Sequence, residues 1–248
     1  RVLFRSPLPW SLTLFCLAHL FLGGLGMRHL VERWTGHRLA AAIAGTAFAF
    51  NGLSLNCLMW PNNIAALGWM PWVIHGVEAG WRTGGRRLLW GALLGALQML
   101  AGAPEITLCT WLFLALVWTG HWIRRTHPPG VLLRRGAGLA ALVAGLTAAQ
   151  MLPFLELLHL SHRDTRFATG AWAMPAWGWA NFLVPAFRMM RSGSGLLYQP
   201  DQFWTSSTYV PLGVTVLALS AALRPRQPRT ALLAFTLLAS LQIGRAHV

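Results

Sequence analysis

Residues 137–160 read Ala137-Gly138-Leu139-Ala140-Ala141-Leu142-Val143-Ala144-Gly145-Leu146-Thr147-Ala148-Ala149-Gln150-Met151-Leu152-Pro153-Phe154-Leu155-Glu156-Leu157-Leu158-His159-Leu160. The nineteen residues 137–155 carry no charge, and Arg134-Arg135 stands just before them. A helix rises about 1.5 Å per residue, so crossing ~30 Å of hydrocarbon takes roughly 20 residues. The stretch meets that length and reads as a transmembrane helix. On either side of it, comparable apolar runs lie at about 8–27, 39–60, 64–79, 88–102, 105–123, 210–223 and 230–242. The expected fold class is therefore all-α: a polytopic transmembrane helical bundle of about eight spans, one domain over 7–242. Runs 64–79 and 88–102 are short, and are expected to tilt less or to be partly re-entrant. Small residues recur inside the runs, as in Ala40-Ala41-Ala42-Ile43-Ala44-Gly45 and Gly91-Ala92-Leu93-Leu94-Gly95-Ala96. In lipid, such residues let helices approach closely.

Composition supports this class. The chain has 248 residues, 55% of them apolar and only 10% charged, with a mean hydropathy of +0.50. Soluble domains carry roughly a quarter charged residues; this chain has too few to cover a surface. The apolar fraction excludes disorder, and three cysteines exclude a disulfide scaffold. Cys16, Cys57 and Cys109 all fall within apolar runs and are expected to be small buried hydrophobes. All 20 basic residues are arginine and the formal net charge is +14.

The two ends share an origin. One reverse translation of Ile243-Gly244-Arg245-Ala246-His247-Val248 is ATC GGA AGA GCA CAC GT. Its reverse complement, read one base out of frame, encodes Arg1-Val2-Leu3-Phe4-Arg5 and begins Ser6. The oligonucleotide resembles a common sequencing-library adapter, so residues 1–6 and 243–248 are expected to be adapter translation flanking a gene fragment. Removing Arg1, Arg5 and Arg245 lowers the charge from +14 to +11.

The other arginines alternate along the chain. Arg28, Arg33 and Arg38 lie between the first two runs, and Arg82, Arg86 and Arg87 between the third and fourth. Arg124, Arg125, Arg134 and Arg135 lie between the fifth and sixth, and Arg224, Arg226 and Arg229 between the seventh and eighth. The intervening turns at 60–63 and 102–104 have none. The positive-inside rule places the arginine-bearing turns in the cytoplasm. The long segment 161–209, with Arg163, Arg166, Arg188 and Arg191, is then extracytoplasmic; long loops cross with less regard to charge. A nucleic-acid partner would need one contiguous basic face, and these clusters are separated by apolar spans. That class is excluded.

Few residues are candidates for chemistry. Glu105 follows Pro104 at the outer end of a span, where an acid in the first helical turn suits the helix dipole; the alternative is an acid facing a substrate cavity. Gln150, Pro153 and Glu156 form a stripe at three-residue spacing in the outer half of the sixth run. An acid at bilayer depth costs on the order of 3 kcal/mol and usually faces the bundle interior or water. Glu156 either does so or sits close enough to the interface to be solvated. Ser161-His162-Arg163-Asp164-Thr165-Arg166 opens the long loop. Two arginines beside a histidine suit a phosphate through bidentate hydrogen bonds, and a solvated Arg–Asp pair is the plainer reading. The segment 171–190, with Trp172, Trp177 and Trp179, reads as a helix lying flat on the outer leaflet, followed by a turn at Gly193 and Gly195. The nine histidines show no metal-ligand spacing, and nucleotide-cradling loops and nucleophile elbows are absent.

The order of short motifs resembles the YfhO-type bacterial membrane proteins, grouped with the GT-C integral membrane glycosyltransferases. The resemblance rests on Ala47-Phe48-Ala49-Phe50-Asn51-Gly52, then Trp69-Met70-Pro71-Trp72, then Gln98 with Ala101-Gly102-Ala103-Pro104-Glu105, then Gln150-Met151-Leu152-Pro153 with Glu156 and Ser161-His162-Arg163. Tyr209-Val210-Pro211-Leu212-Gly213 is a weaker match. Ala103 stands where the family pattern usually has histidine. The resemblance implies a bacterial inner-membrane protein that transfers a sugar from a polyprenyl-phosphate donor to a cell-envelope acceptor. It implies a lipid bilayer and a lipid-linked sugar as partners, and allows a divalent metal. Arg163 and Arg166 would contact phosphate, and Glu105, Gln150 and Glu156 would line the cavity. The family's catalytic acid follows its first transmembrane helix, which places it before residue 1. A transporter or flippase of lipid-linked intermediates, and a non-catalytic membrane scaffold, stay open as alternatives.

Overall fold

The computed structural model describes residues 8–161, 176–184, 187–191, 193, 197–198, 209–223 and 229–236. Among the described residues the regular structure is helical apart from one two-residue strand pair. It forms two compact units, Arg1–Ala49 with Cys57–Leu160, and Phe50–Asn56 with Ser161–Val248.

The first unit contains α1 (Leu8–Thr35), α2 (Arg38–Ala49), α4 (Pro61–Thr83), α5 (Arg86–Leu100), α6 (Pro104–Ile123) and α7 (Pro129–Leu160). The second contains α3 (Gly52–Asn56) and α8 (Leu212–Leu223). Segments 1 and 3–7 of the eight expected each hold one helix, and the described residues 230–236 of the eighth are helical. Three helices are long and apolar enough to cross a membrane, spanning Trp10–Thr35, Pro104–Ile123 and Pro129–Leu160. A fourth crossing results if Arg38–Ala49 and Gly52–Met59 count as one broken span.

The second expected run, 39–60, is not continuous. It breaks at Phe50-Asn51, where the Asn51 side chain accepts a hydrogen bond from the Ser54 amide at 2.9 Å. This is an N-cap starting α3, and Gly52 at its first position adds no β-carbon to hold the chain straight. Helices α1 and α7 run further into the arginine-bearing turns than hydropathy alone indicates. Arginine, histidine and glutamate propagate a helix about as well as apolar residues, and Leu30 and Leu132 in these extensions are buried.

Helix α4 is the axis of the first unit, packing against α1, α5, α6 and α7. Small residues permit the closest approaches, as their abundance predicts. A β-carbon at Gly91 would stand 2.7 Å from the Gly76 carbonyl oxygen, and one at Gly45 2.6 Å from that of Gly24. Cys16, Cys57, Ile64 and Leu67 form an apolar cluster with Leu20, Phe48, Leu58, Met70 and Ile106. Cys109 departs from expectation. It is exposed, on the outward face of α6 with Leu108.

Side-chain bonds join the arginine-bearing ends of the helices. Trp34 of α1 and His121 of α6 both reach Glu78 of α4, and Arg135 of α7 reaches the α4 C-terminus. Chain direction therefore alternates so that the turns after α1, α4 and α6 share one end of this unit. The exposed faces carry Leu12, Leu14, Phe21, Leu146, Leu152 and Leu157, an apolar surface far beyond that of a monomer in water.

In the second unit, β1 (Met190–Arg191) pairs antiparallel with β2 (Leu197–Tyr198), consistent with the expected turn around Gly193. Ala176–Phe182 forms a short 3-10 helix, a tighter winding than the expected interfacial α-helix. The Arg188 guanidinium lies 5.0 Å from the Trp177 ring centroid. The Tyr209 carbonyl accepts from the Gly52 amide at 2.7 Å, tying α3 to the chain before α8.

Candidate functional site

Two polar places stand out in the first unit, one at each end of the bundle. The arginine-free end is built around the α5–α6 turn. Gln98, fully buried on α5, donates through Nε2 to the Ala66 carbonyl at 3.1 Å and to the Thr110 hydroxyl at 2.8 Å. One amide thereby joins α4, α5 and α6. The chain then turns at Gly102, whose φ of +76° suits glycine. Asn62 donates to the Gly102 carbonyl at 3.2 Å, clasping the turn from the start of α4. Ala103 is buried, and Pro104 opens α6 with Glu105 in the first turn.

Glu105 is exposed there, in the first turn of α6. Gln150 is brought to the same turn: its Nε2 lies 3.7 Å from a β-carbon placed at Gly102. Glu156 is exposed on α7, six residues and about 9 Å of helical rise beyond Gln150. Arg163 and Arg166 lie outside the described residues. Beneath the turn, Gln98 Oε1 and the Thr107 hydroxyl are buried with no hydrogen-bond partner, an uncommon condition for buried polar atoms. The place offers an outward carboxylate and an outward amide on a turn pinned from below.

The second place was not anticipated from the sequence. Glu78, in the last turns of α4, is buried. Its Oε2 accepts from Trp34 Nε1 at 3.0 Å, and its Oε1 lies 3.5 Å from His121 Nε2. His121 Nδ1 is 2.9 Å from the Thr126 hydroxyl. One turn back on α4, His75 meets His29 edge to face with ring centroids 4.8 Å apart, and His29 stacks on Trp72 at 5.7 Å. Trp72 in turn donates to the Leu22 carbonyl at 3.0 Å. In the adjoining α6–α7 loop, His127 is held below the ordinary imidazole range, first by burial and then by His121, Arg135 and Arg82. The signal in the sequence was an acid inside the run 64–79, flanked by histidine and tryptophan. A buried carboxyl is costly to desolvate and persists where partners hold it.

Among the described residues, no three His, Cys, Asp or Glu side chains converge to hold a metal ion. Comparison with family models, with curated proteins and with solved structures finds no match to this chain.

Proposed function

We propose that the chain is the membrane-embedded part of a GT-C-like glycosyltransferase of a bacterial inner membrane, with about eight spans. Its arginine-bearing turns face the cytoplasm and segment 161–209 lies outside. The observation that carries this reading is the α5–α6 turn, where a fully buried Gln98 holds a pinned loop that carries Glu105 and meets Gln150. That loop is at the end without arginines, where a lipid-linked donor in the outer leaflet would present its sugar. Glu105 and Gln150 then hydrogen-bond sugar hydroxyls, and Glu156 extends the polar edge. Arg163 and Arg166 neutralise the donor phosphate. In the transfer, the bond from the sugar C1 to the phosphate oxygen breaks, the polyprenyl phosphate leaves with the electron pair, and an acceptor oxygen bonds to C1. Positioning supplies the rate here, and a carboxylate acting as general base takes the acceptor proton.

The test is a sugar-transfer assay with polyprenyl-phosphate sugars on the complete protein. Glu105→Gln and Gln150→Ala should each lower kcat/KM roughly ten- to hundred-fold, the worth of one hydrogen bond to or from a charged or sugar group. Unchanged transfer in both overturns the assignment of the turn. Movement of lipid-linked intermediates without covalent chemistry is the second reading, favoured by the buried Glu78–His121 pair. Under it, Glu78→Gln abolishes translocation in vesicles and no sugar is transferred by the parent protein.

A further inference from the structure

We propose that the α4–α5 turn and the start of α7 form a binding site for the phosphate headgroup of an anionic phospholipid. The inference rests on the membrane-spanning reading and is independent of sugar transfer.

The site is assembled by one residue. Arg135 donates from Nη1 to the Trp81 carbonyl at 2.9 Å and to the Arg82 carbonyl at 2.7 Å. Its guanidinium packs against Gly84, where a β-carbon would stand 2.9 Å from Nε. This brace holds the first turns of α7 against the end of α4. The first turn of α5 is held there too, since a β-carbon at Gly80 would be 3.0 Å from the Leu88 α-carbon and 3.3 Å from the Arg87 carbonyl oxygen. Arg82, Arg86, Arg87 and Arg134 are thereby gathered around one turn, and all four are exposed.

These four have no carboxylate partner among the described residues. At this end of the unit Glu32 faces Arg38 at 3.5 Å, and Glu78 is occupied by Trp34 and His121. The result is uncompensated positive charge with planar donors that match phosphate oxygens. What makes the ligand a lipid is the surface beside the arginines. Leu89 and Trp90 follow Arg86 and Arg87, and Leu133 precedes Arg134; all three are exposed, at 57%, 60% and 56%. Cationic headgroup contacts bordering an exposed apolar face fit one amphiphile with phosphate above and acyl chains below. A free phosphate would use only the arginines, and a nucleic acid would avoid the apolar face.

The complete chain is reconstituted into vesicles of phosphatidylcholine doped with brominated phosphatidylglycerol or brominated phosphatidylcholine, and quenching of tryptophan fluorescence is compared. The brominated phosphatidylglycerol should quench more at equal mole fraction. In Arg86→Gln/Arg87→Gln/Arg134→Gln the preference should weaken by about five-fold per arginine removed, while Arg28→Gln/Arg33→Gln/Arg38→Gln, with the same charge change elsewhere at that end, should keep it. Equal quenching by the two lipids around the unsubstituted chain overturns the site without reference to any variant. Equal loss in both triple variants also overturns it, in favour of diffuse surface charge. Relief of the preference by excess inorganic phosphate, or by an RNA oligomer, reassigns the arginines and overturns the lipid. Release of the chain by an alkaline wash overturns the membrane reading itself, whereas full retention without lipid preference overturns only the site.

Discussion

Glu78 shows what one ionisable side chain does inside an apolar bundle. It joins α1, α4 and α6 through Trp34 and His121, and its removal takes one acceptor from the half-buried Trp34 indole and the facing carboxylate from the His121 imidazole. Glu78→Leu is expected to lower stability by roughly 3–5 kcal/mol, and Glu78→Gln, which can still accept from Trp34, by about 1–3 kcal/mol; thermal unfolding in detergent ranks the two. Gln98 is the neutral counterpart at the opposite end, and Gln98→Leu should cost about 1–3 kcal/mol because the Ala66 carbonyl and Thr110 lose their donor. His127 adds a pH term of known sign. Its imidazole is held below the ordinary range in the fold, so the unfolded chain binds the proton first and stability is lost as pH falls through the unfolded imidazole range. His127→Gln should therefore narrow the gap between unfolding temperatures measured above and below that range, and an unchanged gap would remove His127 as a contributor. Glu105 and Gln150 were readable as candidates because a proline-led helix start and a polar stripe within one apolar run are both local patterns. Glu78 was not, because its partners come from residues 34 and 121, and only the packing of three helices shows that they meet.

The helices follow hydropathy where a run is uniform and depart from it where local capping competes. Segment 105–123 is reproduced almost residue for residue as α6, since Pro104 fixes its start. The break between α2 and α3 was hidden in an apolar run because a single Asn51 side chain, hydrogen-bonded to its own backbone three residues on, outweighs the surrounding pattern. The helix contacts rest on glycine at a few positions. Gly91→Ala places a methyl 2.7 Å from the Gly76 oxygen, and the α4–α5 pair must separate, at a cost of about 1–3 kcal/mol; Gly138→Ala, with open space around it, should be neutral or mildly stabilising. Measured side by side, equal effects would contradict the packing described. Arg135→Gln should loosen the α7 start from α4, exposing amides of residues 131–135 to faster hydrogen exchange than in the parent chain.

At the scale of the molecule, charge and apolar surface are sorted rather than mixed. The net charge of +14 looks like a polyanion-binding protein, yet within the first unit the arginines gather at the turns of one end while exposed leucines cover the helix sides. The alternation of arginine-bearing and arginine-free turns was readable because each turn is a short contiguous segment; the number of membrane crossings was less so, because α5 and α8, at 15 and 12 residues, are too short to declare themselves by length. The central claim is that the chain threads a membrane with these turns inside. It is tested most directly by single-cysteine labelling in a background with Cys16, Cys57 and Cys109 replaced by alanine, using a membrane-impermeant maleimide on intact bacterial spheroplasts. Asn63→Cys and Gly193→Cys should label from outside, and His127→Cys only after the membrane is permeabilised. Labelling of His127→Cys in intact spheroplasts, or of Asn63→Cys only after permeabilisation, would contradict the account.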